Sequence, residues 1–138
     1  MISLEKARAL KEAGLVWEPD IGDMIYVNGE YGSVIHVNQD DNGKYILIVY
    51  VTAGGVTHYL NVYKHDWIWL PRLDQMLAEI EARGYFPRLR KIAGAGYVLT
   101  FYAANGKDHV TLMEFISAKT WEDAAADALL WLMGREGK

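Results

Sequence analysis

The second half of the chain, residues 70–138, carries the pattern that most limits the fold. Pro71 opens a segment whose apolar residues recur at helical spacing up to Gly84, namely Leu73, Met76, Leu77 and Ile80. Three runs typical of strands follow, Tyr85–Lys91, Tyr97–Ala103 and His109–Ile116. Thr120 and Asp123 then form a capping box before a second helix, which the sequence predicts to end at Gly134. The α-β-β-β-α order predicts a compact antiparallel module that its last helix closes.

The first half begins with a helix and continues as short strands. Ser3 is suited to cap a helix over Leu4–Ala13, and Gly14 is suited to end it. Asn-Gly pairs at positions 28–29 and 42–43 predict hairpin turns of an antiparallel meander, whose strands are Met24–Val27, Ser33–Asn38, Lys44–Thr52 and Val56–Tyr63. The run Tyr45–Val51 is apolar on both faces, which predicts a central strand covered on both sides.

These patterns predict a single α+β domain over residues 1–138. In it, an N-terminal helix and an antiparallel β-meander are packed with the α-β-β-β-α module. A length of 138 residues suits one domain. A subdivision into residues 1–69 and 70–138 remains open, and Trp67, Ile68, Trp69 and Leu70 form an extended segment at that boundary.

Composition excludes several kinds of protein. The chain has no cysteine, so disulfides and thiolate metal sites are excluded. Glu5 and Lys6 interrupt the start before an apolar run can build, and the longest apolar run, Tyr45–Val51, is too short to cross a bilayer. We therefore expect a cytoplasmic protein that does not bind membranes.

The net charge of −4 is unevenly distributed. Residues 1–69 contain five Lys and Arg against nine Asp and Glu, whereas residues 70–138 contain nine of each. A mildly acidic protein disfavours non-specific binding to nucleic acid. One hypothesis that follows is an inhibitor that presents the acidic first half of the chain, including Glu18, Asp20 and Asp23, to a basic enzyme.

No motif predicts a cofactor, a metal ion or a catalytic residue. Asn38, Asp40, Asn42 and Gly43 match the opening of a calcium loop, but Val49 stands where the closing glutamate belongs, so a hairpin turn is favoured. Gly94-Ala95-Gly96 lacks the third glycine of a dinucleotide-binding turn. The four histidines show no metal-binding spacing. An enzyme with an active site assembled from distant residues remains an open alternative.

The candidate nucleic-acid face is a cluster of basic residues with an aromatic residue nearby. Its members are Arg83, Arg88, Arg90 and Lys91, with Tyr97 as the aromatic residue. Strand alternation places Arg88 and Arg90 on one face, which could hold phosphates while Tyr97 stacks on a base. The alternative is a solvated outer face of the sheet. The module shares its element order with double-stranded RNA-binding domains, but its last helix starts with Trp121-Glu122-Asp123, whose acidic residues repel phosphate.

Trp67 and Trp69 are the candidate protein interface. Tryptophan is favoured at interface hot spots and in hydrophobic cores alike. Core packing between the two halves of the chain is therefore the alternative to a surface for a partner or for self-association.

Three segments, residues 4–19, 69–77 and 120–132, resemble small proteins of phages and prophages in Gram-positive bacteria. That family has no established activity, so the resemblance assigns no residue a role. It implies only a location, the cytoplasm of a bacterial host cell. The leading hypothesis is a non-enzymatic phage or prophage accessory protein that binds another protein or itself. A nucleic-acid-binding module and the acidic inhibitor are the alternatives.

Overall fold

The computed structural model describes the backbone of residues 1–27, 29–53, 56–63, 67–94, 96–105, 108–117 and 119–136, and side chains outside residues 52–63, 102–113 and 136. The helices in this part are α1 (Leu4–Glu12), α2 (Leu73–Ala82) and α3 (Trp121–Glu136). The strands are β1 (Met24–Val27), β2 (Glu30–Gln39), β3 (Tyr45–Ala53), β4 (Val56–Tyr63), β5 (Trp67–Leu70), β6 (Tyr85–Ile92), β7 (Gly96–Asn105) and β8 (Asp108–Ser117). None of these helices has the length and apolar character needed to cross a membrane.

The fold is α+β with two antiparallel sheets, as predicted. One sheet has the strand order β4-β3-β2-β1-β5 and the other β6-β7-β8. Residue contacts divide the chain into two compact units, residues 14–71 and residues 1–13 together with 72–138. We call the first the meander and the second the module. The helix α1 thus groups with α2–α3, although it precedes the meander in the chain.

Tight turns set the register of the meander. Val27 pairs with Glu30, and Gly29 in that turn has φ +82°. At the next hairpin Gln39 pairs with Tyr45, and Asp40 Oδ1 accepts hydrogen bonds from the amides of residues 42 and 44, each at 2.9 Å. The chain then returns antiparallel to β1, so the extended tryptophan segment is a fifth strand, β5.

The strand β3 lies between β2 and β4, which confirms that it is an interior strand. One of its faces, with Leu47, Val49 and Val51, is fully buried in the core of the meander. The other face is only partly covered, since Tyr50 is 40% exposed. The expectation that both faces are covered is therefore wrong for the second face.

In the module, α3 packs against α1, α2, β7 and β8. Its small residues allow this close approach on several sides, because Ala124, Ala125, Ala126 and Ala128 are all buried. The predicted end at Gly134 is wrong, since α3 continues to Glu136. A helical glycine leaves the backbone hydrogen bonds intact, so it weakens a helix without having to end it.

The predicted capping box of α3 is half formed. Thr120 Oγ1 accepts a hydrogen bond from the Asp123 amide at 3.1 Å. The Asp123 carboxylate instead accepts the amide of Ser3, the residue that caps α1, at 2.7 Å. Lys6 Nζ also contacts Asp127 Oδ2 at 2.5 Å. Polar contacts therefore join the first turn of α1 to the first two turns of α3.

Candidate functional site: the outer face of the three-stranded sheet

Alternation along β6, β7 and β8 gives the sheet of the module two different faces. The inner face carries Leu99, Phe101 and Phe115 towards the helices. The ring of Phe115 lies 6.1 Å from that of Trp131 in α3. We call the opposite side, which carries Arg88, Arg90 and Glu114, the outer face.

Strand register brings charged residues of the outer face together. Arg88 on β6 pairs with Thr100 on β7, which pairs with Glu114 on β8. In the next row along the strands, Arg90 pairs with Val98. Arg90 Nη2 donates to Glu114 Oε1 at 2.6 Å, so this ion pair runs diagonally across the central strand. Both side chains are about half exposed, which limits the stability that their pairing contributes.

Arg88 lies beside this ion pair and forms no ion pair with any of the described residues. A cleft of about 250 Å³ adjoins it, lined by Arg88, Leu89, Arg90 and Thr100. Thr100 is only 3% exposed, and no hydrogen-bond partner of its Oγ1 lies in the described part of the chain. A buried hydroxyl without a partner is unfavourable, so the cleft combines an accessible cation with an unsatisfied polar atom.

Exposed apolar side chains share this face with the charges. Phe86 is 48% exposed at one end of β6, and Ile92 is 38% exposed at the other. Ile116 on β8 is 55% exposed and lies in the same row as Arg90 and Val98. A face that combines large exposed apolar groups with a few charges has the mixed composition of protein interfaces.

The predicted nucleic-acid face is divided by the structure. Arg88 and Arg90 share the outer face as predicted. Lys91 and Tyr97 pair with each other on the inner side, where Lys91 Nζ lies 5.2 Å from the ring centroid of Tyr97. The Tyr97 ring in turn lies 5.1 Å from that of Trp121, so it packs against α3.

Arg83 is also directed away from the outer face. Its Nη1 donates to the Glu79 carboxylate at 2.8 Å and to the Glu79 carbonyl at 2.9 Å. These bonds fix the guanidinium at the end of α2. Of the five residues predicted to bind nucleic acid, only Arg88 and Arg90 therefore lie together on an exposed face.

The tryptophans of the candidate interface pack within the meander. Trp67 is 2% exposed and belongs to the core cluster, while Trp69 is partly buried against it. Trp17 stacks on Trp69 with ring centroids 5.3 Å apart and meets Trp67 edge-on at 6.5 Å. Trp67 has almost no surface to offer a partner, so this geometry lends the predicted interface no support.

One of the three acidic residues named in the inhibitor hypothesis, Asp23, is buried and does not lie on the surface. Asp23 is 1% exposed, and its Oδ2 accepts Trp17 Nε1 at 2.8 Å and the amide of Asp20 at 2.9 Å. Glu18 and Asp20 are exposed. Asp23 thus supports the tryptophan cluster and does not face a partner.

No site for a metal ion was found among the residues that the structure describes. Asp40 uses its carboxylate for the hairpin turn, which confirms the turn. The His36 ring contacts Asn38 at 3.2 Å on the surface, and the side chains of His58, His65 and His109 lie outside the described residues.

The sequence did not point to Thr100 or Glu114 as parts of a site. Both depend on the register of three strands, which brings residues 88, 100 and 114 into one row. Alternation alone identified Arg88 and Arg90, because they belong to one strand. No protein-family model, no curated protein and no solved structure matches this chain.

Proposed function

We propose that this chain acts by binding rather than by catalysis, and that it recognises another protein through the outer face of its three-stranded sheet. The observation that carries the proposal is that three exposed apolar side chains, Phe86, Ile92 and Ile116, share one face of the sheet with Arg88. We further propose that it is a phage or prophage accessory protein. The resemblance of its helical segments to such proteins supports this setting.

Two features of the outer face favour a protein partner. Apolar contacts contribute roughly 25 cal/mol per Å² buried, so three large exposed side chains provide a substantial driving force for association. Arg88 and the Arg90–Glu114 ion pair provide specificity, because a partner without matching charges would leave them desolvated and unpaired. Charged groups within an apolar patch also favour one orientation of the partner.

Site-specific photo-crosslinking in a Gram-positive cell tests this function. A photoreactive benzoylphenylalanine replaces Ile116 on the outer face in one variant and Ile21 in the control. Ile21 is a suitable control because it is 65% exposed in the meander. We expect crosslinking at position 116 to give one protein adduct of defined mass. The yield of this adduct should be lower with the photoreactive residue at position 21. The adduct should disappear when Arg88→Gln is added to the position-116 variant.

An adduct of twice the chain's mass would identify the partner as a second copy. Equal adducts at positions 116 and 21, or adducts unaffected by Arg88→Gln, would overturn the proposal. The absence of any adduct would do so as well. An adduct that nuclease digestion removes would favour the second candidate function.

That second candidate is nucleic-acid binding, which the shared exposed face of Arg88 and Arg90 favours. The described residues place two cations on this face. The logarithm of the binding constant should therefore fall linearly with the logarithm of the salt concentration, with a slope of about −2 or smaller in magnitude. The double substitution Arg88→Gln with Arg90→Gln should abolish binding to a mixed DNA and RNA pool at low salt. Unchanged binding would remove this candidate.

A further inference from the structure

The cleft beside Arg88 is suited to a particular chemical group. We propose that it binds a carboxylate on the protein partner, within an acidic peptide segment that also carries apolar residues. This inference rests on the proposed function and specifies its partner. The carboxylate would accept from the Arg88 guanidinium and from the Thr100 hydroxyl.

The first support is the polar chemistry of the cleft. Thr100 Oγ1 is buried and has no hydrogen-bond partner within the described residues. Arg88, which pairs with Thr100 on the neighbouring strand, forms no ion pair with the described residues. An arginine can donate two parallel hydrogen bonds to one carboxylate, and a hydroxyl can donate a third. One incoming carboxylate would therefore satisfy both residues.

The second support is the size of the cleft. At about 250 Å³ it is smaller than the pockets of roughly 300–1,000 Å³ that enclose drug-sized ligands. It has room for a side chain with its carboxylate and a few waters. This suits recognition of one residue of a peptide rather than of a whole cofactor.

The third support is the charge on the outer face, which favours a carboxylate over nucleic acid. Glu114 pairs with Arg90, so among the described residues of this face Arg88 is left as the unbalanced positive charge. A nucleic-acid strand would bring further phosphates close to the Glu114 carboxylate and would be repelled by it. A lone carboxylate matches one cation without this penalty.

The apolar side chains specify the rest of the segment. Residues two apart on a strand lie about 7 Å from each other on the same face, and Phe86 stands two positions from Arg88. A peptide lying along β6 with its acidic residue at Arg88 would therefore place an apolar residue near Phe86. We expect the bound segment to carry one acidic residue with an apolar residue two positions from it.

Nuclear magnetic resonance titration of the full chain tests this inference with defined probes. The peptide acetyl-Val-Ser-Glu-Ser-Val-amide is compared with its matched Gln version, with inorganic phosphate and with a short single-stranded DNA. The Arg88 side-chain Nε and the Thr100 amide are observed. We expect saturable shifts of both with the Glu peptide and binding at least about ten-fold weaker with the Gln peptide.

Variants separate a binding role from a structural one. Arg88→Gln should weaken the Glu peptide at least about ten-fold, and Thr100→Val about five-fold, whereas Thr100→Ser keeps the hydroxyl and should retain binding. Lys119→Gln removes one exposed positive charge elsewhere in the module and should have no effect. Glu114→Gln should strengthen phosphate binding, because it removes the repelling charge.

Three results would overturn the inference. They are equal shifts with the Glu and Gln peptides, phosphate or DNA binding as tight as the Glu peptide, and binding unaffected by Arg88→Gln. The outcomes of the two experiments are distinguishable. Peptide binding without a crosslinked partner would contradict the proposed function alone, and a crosslinked partner without carboxylate preference would contradict only this inference.

Discussion

Asp23 illustrates how one residue can be essential to a core without being apolar. Its buried carboxylate accepts the indole N–H of Trp17, whose ring stacks on Trp69. A buried indole N–H needs an acceptor, and a carboxylate is a strong one. The acidic residue that composition alone assigns to a surface patch is thus a polar anchor of the meander.

We expect Asp23→Ala to lower the free energy of unfolding by about 2 kcal/mol, because hydrogen bonds to charged groups contribute about 1.5–3 kcal/mol. Asp23→Asn should lower it less, since the amide oxygen can still accept from Trp17. Urea unfolding followed by tryptophan fluorescence measures both. The control Asp41→Ala, at an exposed position of the next turn, should stay within about 0.5 kcal/mol of wild type.

Gly32 is required for a steric reason. A Cβ at this position would lie 2.5 Å from Val49 Cγ1, 2.9 Å from Val51 Cγ2 and 3.1 Å from the Tyr50 carbonyl oxygen. Gly32→Ala should therefore overpack the interface of β2 and β3 and lower the free energy of unfolding by about 1–3 kcal/mol. Urea unfolding is again the measurement.

Gly134→Ala is the same substitution as Gly32→Ala, but at a position where the added methyl group has room. Apart from its chain neighbours and the nearby backbone of its own helix, no atom in the described structure lies within 4 Å of the added Cβ, and the residue is helical. Alanine should raise the free energy of unfolding by roughly 0.5–1 kcal/mol, because glycine loses more backbone entropy in a helix. Equal effects of the two glycine substitutions would contradict both steric assignments.

Among the elements, the contacts between α1 and α3 differ in strength. Asp123 is 3% exposed and accepts the Ser3 amide, whereas the Lys6–Asp127 pair is partly exposed. We expect Asp123→Ala to lower the free energy of unfolding by about 1–3 kcal/mol and Asp127→Ala by less than about 1 kcal/mol. Thermal unfolding of both variants tests this order, which a larger loss from Asp127→Ala would contradict.

Element types and boundaries could largely be predicted from the sequence, because they depend on local signals. Ser3 caps α1, and Asp40 forms the turn between β2 and β3, as their types indicate. The pairing of β5 with β1 could not be predicted, since the paired residues lie 40 to 46 positions apart in the chain. No local signal in Trp67–Leu70 identifies the strand it pairs with.

The candidate site could be predicted only where one strand contains it. Arg88 and Arg90 follow from alternation, and the same alternation assigns Lys91 to the opposite face. The place of Tyr97 beside Lys91 depends on the register of β6 and β7. The burial of Thr100 and the pairing of Glu114 depend on three strands together, so a single sequence contains no direct signal for them.

At the scale of the whole molecule, the module is built from two separate stretches of chain. Leu10 of α1 is 1% exposed, so Leu10→Ala should destabilise the module by about 2–5 kcal/mol. Hydrogen exchange should then show faster exchange of amides in residues 72–136. The meander, residues 14–71, should keep its protection.

The corresponding substitution in the other unit is Val49→Ala, in the core of the meander. It should accelerate exchange in residues 24–51 and leave the module protected. Uniform acceleration throughout the chain by either variant would show that the two units unfold as one cooperative structure.

The division of the module has a consequence for biosynthesis. A nine-residue helix such as α1 is not stable alone in water, and its docking partner α3 begins more than 100 residues later. During translation the meander is complete before α3 has been made, so it can fold first. The helix α1 leaves the ribosome before the meander but is therefore expected to become ordered only after α3, and a nascent chain stalled before residue 120 should contain a folded meander and an unfolded α1.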